Sequence, residues 1–565
     1  METHKVAADT TRSPDEQLLD ALAAETWSAL TERDPYYAPE QLQSYPRGDL
    51  AEAEAVAKQA RARNERLQKI DISGMSRTDR LTAKFLGYWL DDEMKSPERW
   101  WTGFGVAPYT LSMLAVLPGM VFSEIDVTKE AEATRYLKLA GELASHVEAH
   151  RERLVAQAER GWRIPRPALA NVRKTVEGIG SGVASVLRID EARQADDAFR
   201  KAVDDLVQER IVPAFDRLLE ALGPDYEAKA PEKLGLVHFP GGADAYRMWI
   251  EHHLGYAADP GELHKIGLAE VERLAAAMAK VRAEYFGHNG DEASFHERLR
   301  ADPKAKASSA EALEATYKRH LDRMAPVFER LFQRGPDAPA KVERLAPALE
   351  AGMTFGYYEP PKKPGDAGHY YYSANGIPNR LQINAAALIF HELFPGHHVH
   401  VARQSENMAL PDIRRKAFAF TGFAEGWAEY SAGLAEAEGL YDDPYDRYGW
   451  LVHQRFVAQR IVVDTGLNAL GWSREQAIAY MSANTLEAPE QVASEILRYS
   501  TDMPGQALSY RVGFLKFREL RQRAEQQLGD SFVVADFHEA ILSEGALPLS
   551  VLDSSLQEWA DEMAS

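Results

Sequence analysis

Apolar residues recur at three- and four-residue spacing over most of the chain, as in DEQLLDALAAETWSALTERD, ATRYLKLAGELASHVEAHRERLVAQAERG and DDAFRKAVDDLVQERIVPAFDRLLEAL. That period matches one face of an α-helix and predicts a mainly α protein built from long amphipathic helices. The pattern changes between residues 345 and 386. LEAGMTFGYYEPP and GHYYYSANG are rich in aromatic residues, a Pro-Lys-Lys-Pro-Gly-Asp turn separates them, and RLQIN then leads into AAALIFHEL. These features predict a small antiparallel β-sheet whose last strand, 381–384, feeds the helix carrying His391. Helices are predicted beyond it at 411–437, 444–469, 473–484, 488–498 and 506–528, followed by one short terminal helix.

The Gly/Pro-rich stretches GPDYEAKAPEKLG near 225 and RGPDAPAKVERLAP near 340 are candidate boundaries, although neither reads as a free linker. The first dozen residues and the last few are the segments expected to lack order.

Composition narrows the chemistry. A chain of 565 residues with 45% hydrophobic content can enclose a deep cavity. Its 65 basic and 86 acidic residues give a formal charge of −21, which disfavours nucleic acid and anionic membrane as partners. There is no cysteine, so any metal must sit on histidine and carboxylate. The N-terminus lacks an apolar signal core, and no run of about 18 apolar residues occurs, so a cytoplasmic protein is expected.

The candidate chemistry lies in FHELFPGHHVH, residues 390–400. In the zinc-peptidase motif His-Glu-x-x-His, histidines at i and i+4 face one ion and the glutamate reaches its water. Here His391 and Glu392 are in place, but Pro395 stands where the second histidine belongs. His397 and His398 follow, and in a straight helix a residue seven positions on lies about 10 Å further along, too far for one zinc. Pro395 breaks the helix and Gly396 relaxes the backbone beside it, so the next turn can restart closer. His397 is the preferred second ligand, with His398 its rival. A kinked helix with surface histidines is the plain alternative.

A third ligand is available in TGFAEGWAEYSAG, where Glu425 and Glu429 stand four apart on one helix face. Their neighbours Phe423, Trp427 and Tyr430 indicate a buried setting, in which an unpaired carboxylate is costly. Glu425 is read as a ligand and Glu429 as the acceptor that orients a ligand histidine. Two histidines, one carboxylate and an open position describe a catalytic metal site.

HELFPGHH, EGWAEY and PGQALSY, in that order, resemble the bacterial domain-of-unknown-function family 885 over nearly the whole chain. That family is in turn similar to the carboxypeptidase Taq metallopeptidases of the gluzincin group. The resemblance implies a large, mainly α, two-lobed fold with a deep central cleft and a small antiparallel sheet. It implies one metallopeptidase-like unit over 1–565, with a helical lobe at 1–230 and a lobe at 231–565 carrying the sheet and metal site. It implies His391, a second histidine and Glu425 as metal ligands, and Glu392 as general base. LRYSTD matches an Ile/Val-Arg-x-x-Ala-Asp segment at Arg498 and Asp502, departing at Thr501, and the lengthened first motif is the larger departure.

The expected activity is zinc-dependent hydrolysis of a peptide or amide small-molecule substrate, with cobalt or manganese as possible replacements. Tyr510 is a candidate donor to the oxyanion, or else a core tyrosine. Arg498 is a candidate clamp for a substrate carboxylate, or else an ion-pair partner of Glu495 or Asp502. Segment 381–384 could align a peptide as an edge strand, and the tyrosines at 357–358 and 370–372 line the cleft or fill the core. His252 and His253 are adjacent on a helix and cannot serve one ion together. Asp464 is read as helix packing near the site. The competing classes are a small-metabolite amidohydrolase, a non-haem iron enzyme that would leave Glu392 without a task, and an inactive helical binding protein.

Overall fold

A computed structural model describes residues 12–565 apart from 191–192, 351–354, 364 and 418–419. Residues 1–11, within the segment expected to lack order, lie outside it. At the other end the helix Leu549–Met563 runs almost to the last residue, against the expectation of disorder there.

The protein is mainly helical. The long amphipathic segments form helices Pro14–Arg33 and Glu130–Glu159, and a third run, Asp197–Ala221, carries a π turn at Val207–Ile211. Ser13 and Glu16 close the first with reciprocal capping bonds, which satisfy end N–H groups that the helix leaves open. In the C-terminal half the predicted helices fall at Thr421–Ala437, Pro444–Asn468, Arg474–Ala483, Pro489–Leu497 and Leu508–Leu528. The helix expected from 411 is instead a short Asp412–Lys416 turn set apart from Thr421–Ala437. Two terminal helices follow, Val534–Leu542 and Leu549–Met563, rather than one. The candidate boundary near 225 holds the helix Pro224–Ala228.

The sheet has three strands, β1 (Ala340–Arg344), β2 (Gly356–Glu359) and β3 (Gly368–Tyr372), in the order β1-β3-β2. β2 pairs antiparallel with β3, and β1 pairs parallel, so the sheet is mixed and not purely antiparallel. β1 lay hidden because AKVER buries only Val342 and offers no aromatic signal. The expected strand at 381–384 does not form. Leu381 makes one bridge to Lys306, and the Ala385 N–H already bonds back to the Gln382 carbonyl to start the next helix. Tyr370 and Tyr372 are buried in the core, whereas Tyr357 and Tyr358 face the large cavity.

Among the described residues no helix is long and apolar enough to cross a membrane. Helices Thr421–Ala437 and Leu508–Leu528 pack so closely that a Cβ on Gly426 would lie 2.7 Å from the Gly513 Cα. Gly426→Ala must push them apart and is expected to lower stability by about 1–3 kcal/mol. Gly182, exposed in helix Arg166–Leu187 with nothing within 4 Å of an added Cβ, gives the opposite sign. Gly182→Ala is expected to raise stability by about 0.5–1 kcal/mol, and urea unfolding of the two variants reads both changes.

Candidate metal centre

The helix that starts at Ala385 stops at Glu392 and a new one starts at His397, so Leu393–Gly396 forms the break that Pro395 and Gly396 predict. Only glycine fits position 396, because an added Cβ would sit 1.7 Å from the His391 carbonyl oxygen. Trp427, fully buried on the neighbouring helix, donates its indole N–H to the Pro395 carbonyl at 3.1 Å and ties the break in place. The two imidazoles that a straight helix would separate come together, with His391 and His397 ring centroids 4.7 Å apart.

Glu425 joins them. Its Oε2 lies 3.4 Å from His391 Nε2 and 3.4 Å from His397 Nε2, and it is buried without a hydrogen-bond partner. Four-coordinate zinc with bonds of about 2.0–2.1 Å places its ligand atoms about 3.3–3.4 Å apart, so these three donors have the spacing such an ion requires. Burial alone would raise the Glu425 pKa, but attraction to the nearby His391 and His397 imidazoles outweighs it and holds the carboxyl well below its ordinary range. His391 responds in the opposite sense: burial would lower it, yet Glu425 and Glu429 hold it well above the usual imidazole value. The cluster is built around a positive charge.

Glu429 occupies the position expected of it, with Oε1 3.2 Å from His391 Nδ1. His391, Glu429 and His453 also have ligand-like spacing. However, the oxygens of Glu429 already take His453 Nε2 at 2.7 Å and Gln454 Nε2 at 2.6 Å, and Glu429 does not reach the cavity. The cavity-facing set of His391, His397 and Glu425 is therefore the better cradle, with Glu429 orienting His391. From Gln454 the chain of contacts continues through Arg511 to Glu270. His398 is excluded as a ligand by its own bonds, Nε2 to the Ala338 carbonyl at 2.9 Å and Nδ1 to the Tyr358 hydroxyl at 3.1 Å.

The three donors line a cavity of about 1020 Å³ shared by Glu392, Arg498 and Tyr510. Burial raises the Glu392 pKa against the pull of His391 and His397, as suits a group that must take up a proton. The Tyr510 ring stacks over His391 at 6.3 Å, and burial raises its phenol. Arg498 opens a π turn, Arg498–Asp502, a geometry frequent at functional sites. It donates to Gln506 at 2.9 Å and lies over the Tyr109 ring. Glu495 is taken by Arg460 at 3.2 Å, and among the described residues no ion pair joins Arg498 to Glu495 or Asp502.

His252 and His253 stand apart from this cavity, one bonded to Asp92 at 2.9 Å and the other to Thr421 at 3.2 Å. Asp464, fully buried, accepts both Gly505 N–H contacts at 3.1 Å and the Tyr246 hydroxyl at 2.7 Å, fixing the turn that leads to Tyr510. Sequence reasoning missed His453, His400 and Arg460 on the cavity wall. His400 Nε2 lies 3.2 Å from His397 Nδ1, an i+3 spacing legible once the helix is known to start at 397. His453 and Arg460 carry no comparable local signal.

A family model matches residues 40–556, and its description is "Bacterial protein of unknown function (DUF885)". The chain belongs to this family. Two solved structures resemble this DUF885 chain over nearly their full lengths. One is a "putative lipoprotein from Colwellia psychrerythraea", with 25% identity, TM-score 0.84, and coverage of 97% of this chain and 99% of that one. The other, a "putative lipoprotein of unknown function from Shewanella oneidensis", has 14% identity, TM-score 0.77, and coverage of 97% and 100%. No curated protein matches the chain significantly.

Glu429→Gln keeps the shape but removes the charge facing His391 Nδ1. Zinc affinity, measured by competition with a chelating dye, is expected to fall by about 10- to 100-fold.

Proposed function

We propose that this DUF885 protein is a metal-dependent hydrolase of peptide or amide bonds, with the helical cleft architecture of the carboxypeptidase Taq type. The observation that carries the proposal is the orphaned Glu425 Oε2, 3.4 Å from two imidazole nitrogens, in a large cavity that Glu392 also lines. His391, His397 and Glu425 hold the ion. Zinc bound there supplies a water of lowered pKa and polarises a carbonyl.

The chain's own residues do the rest. Glu392 adjoins the ligand His391 in sequence, and burial favours its protonated form, so it takes the proton of the attacking water and passes it to the leaving amine. Tyr510 offers its phenol O–H to the oxygen on which charge develops. Arg498, held by Gln506 and Tyr109 and paired with no carboxylate among the described residues, presents a guanidinium to a substrate carboxylate. Cobalt or manganese can take the place of zinc on such ligands. The description of both structural neighbours as "putative lipoprotein" weighs against the cytoplasmic placement expected from the sequence, and cell fractionation separates the two locations.

Glu392→Gln is expected to retain the metal and lower peptide hydrolysis by about 10²- to 10⁴-fold. Tyr510→Phe is expected to lower kcat by about 10²- to 10³-fold with little change in metal content. Screening a peptide library with the zinc-loaded protein checks both. Hydrolysis that survives Glu392→Gln undiminished would contradict the assignment of the base.

A further inference from the structure

Residues 486–498 supply one wall of the cavity, and of their ionisable side chains Glu487, Glu495 and Arg498 line it. Glu495 is fully engaged. Its Oε2 takes Arg460 at 3.2 Å and the Tyr499 hydroxyl, and its Oε1 takes Gln491 at 3.0 Å. Arg498 is held by Gln506 and Tyr109. Glu487 differs from both. Its backbone N–H donates to Thr485 at 3.2 Å, but no hydrogen bond or ion pair reaches its carboxylate among the described residues.

A carboxylate just before a helix is ordinarily explained by the partial positive charge of the helix N-terminus. Here Glu487 makes no capping bond to the helix Pro489–Leu497, whose N-cap is Ala488, and it lines the cavity instead. Nor does a protein cation answer it. Arg460, a basic group that acts on Glu487, is paired with Glu495 and lies over the rings of Phe456 at 4.5 Å and Tyr510 at 4.8 Å. The other group acting on it is His453, whose Nε2 is bound to Glu429. Glu487 is partly buried, and burial with repulsion from Glu495 raises its pKa against the pull of Arg460 and His453.

We infer that Glu487 is the recognition site for a cationic group of the substrate, an ammonium or guanidinium, bound within the cavity. The inference rests on the hydrolase reading of the same cavity and names its substrate class, peptides that carry a positive charge within the part of the chain the cavity holds. Glu487 lines the same cavity as His391, His397 and Glu425, so a cation bound to it shares that cavity with the metal-binding side chains. An ammonium can come from a peptide N-terminus or from a lysine side chain, and the chemistry at Glu487 is the same for both.

Binding to the Glu392→Gln protein, measured by calorimetry with and without added zinc, tests the inference without requiring turnover. The probes are one alanine-based tripeptide with a free N-terminus, its N-acetyl form, and an N-acetyl form with one lysine. At least one charged probe is expected to bind more tightly than the neutral one, and the one that does so identifies the source of the ammonium. Adding Glu487→Gln is expected to weaken that probe by about 10- to 100-fold and leave the neutral probe unchanged, with Glu487→Asp restoring part of the loss. Equal binding of all three probes, or an equal loss for charged and neutral probes in Glu487→Gln, would overturn the assignment. A hydrolase reading that fails shows up separately, as a lack of peptide cleavage by zinc-loaded wild type.

Discussion

Two carboxylates one turn apart on the helix Thr421–Ala437, the fully buried Glu429 and the largely buried Glu425, impose the constraint on which the site depends. Negative charge inside a protein is costly unless it is matched, and here the match is concentrated on one imidazole. His391 stands between them, Nε2 toward Glu425 and Nδ1 toward Glu429, and both contacts favour positive charge at that point. Glu429 is satisfied within the protein by His453 and Gln454, whereas Glu425 Oε2 is not. The unsatisfied oxygen faces the cavity, where a cation can complete it.

The interrupted helix follows from the same demand. Bringing His397 to the position that an ordinary motif gives its second histidine requires a chain break, a close backbone approach and a clamp. Pro395 supplies the break, Gly396 permits the approach to the His391 carbonyl, and Trp427 bonds the Pro395 carbonyl from the carboxylate-bearing helix itself. One helix thus provides two carboxylates and the clamp that positions the histidines against them. The packing of that helix on Leu508–Leu528 through Gly426 and Gly513 sets Tyr510 over His391.

Much of this was legible in the residues. Helical periodicity located the principal helices because long amphipathic runs leave little ambiguity. His391, Glu392, Glu425 and Glu429 were found from spacing and context, and Gly396 showed how the helix could restart. The sequence prefers His397 but leaves His398 as a rival, and only the fold shows His398 spent on Ala338 and Tyr358. Strand β1 and the absence of a ladder at 381–384 were missed because a short pattern cannot reveal which distant segment is available for pairing. His453 and Arg460 reach the cavity from a helix that ordinary core packing would also explain, and Glu487 from the bend before Pro489–Leu497, so no local signal marked them.

The central claim is that His391, His397 and Glu425 bind one catalytic metal ion and that His398 does not take part. The most direct measurement is the zinc content of metal-stripped protein after add-back, by mass spectrometry, for wild type, His397→Ala and His398→Ala, with folding checked by thermal melting. About one zinc per chain in wild type and His398→Ala, and none in a folded His397→Ala, is the predicted result. Zinc retained by His397→Ala and lost from His398→Ala, or bound by none of the three, would contradict it.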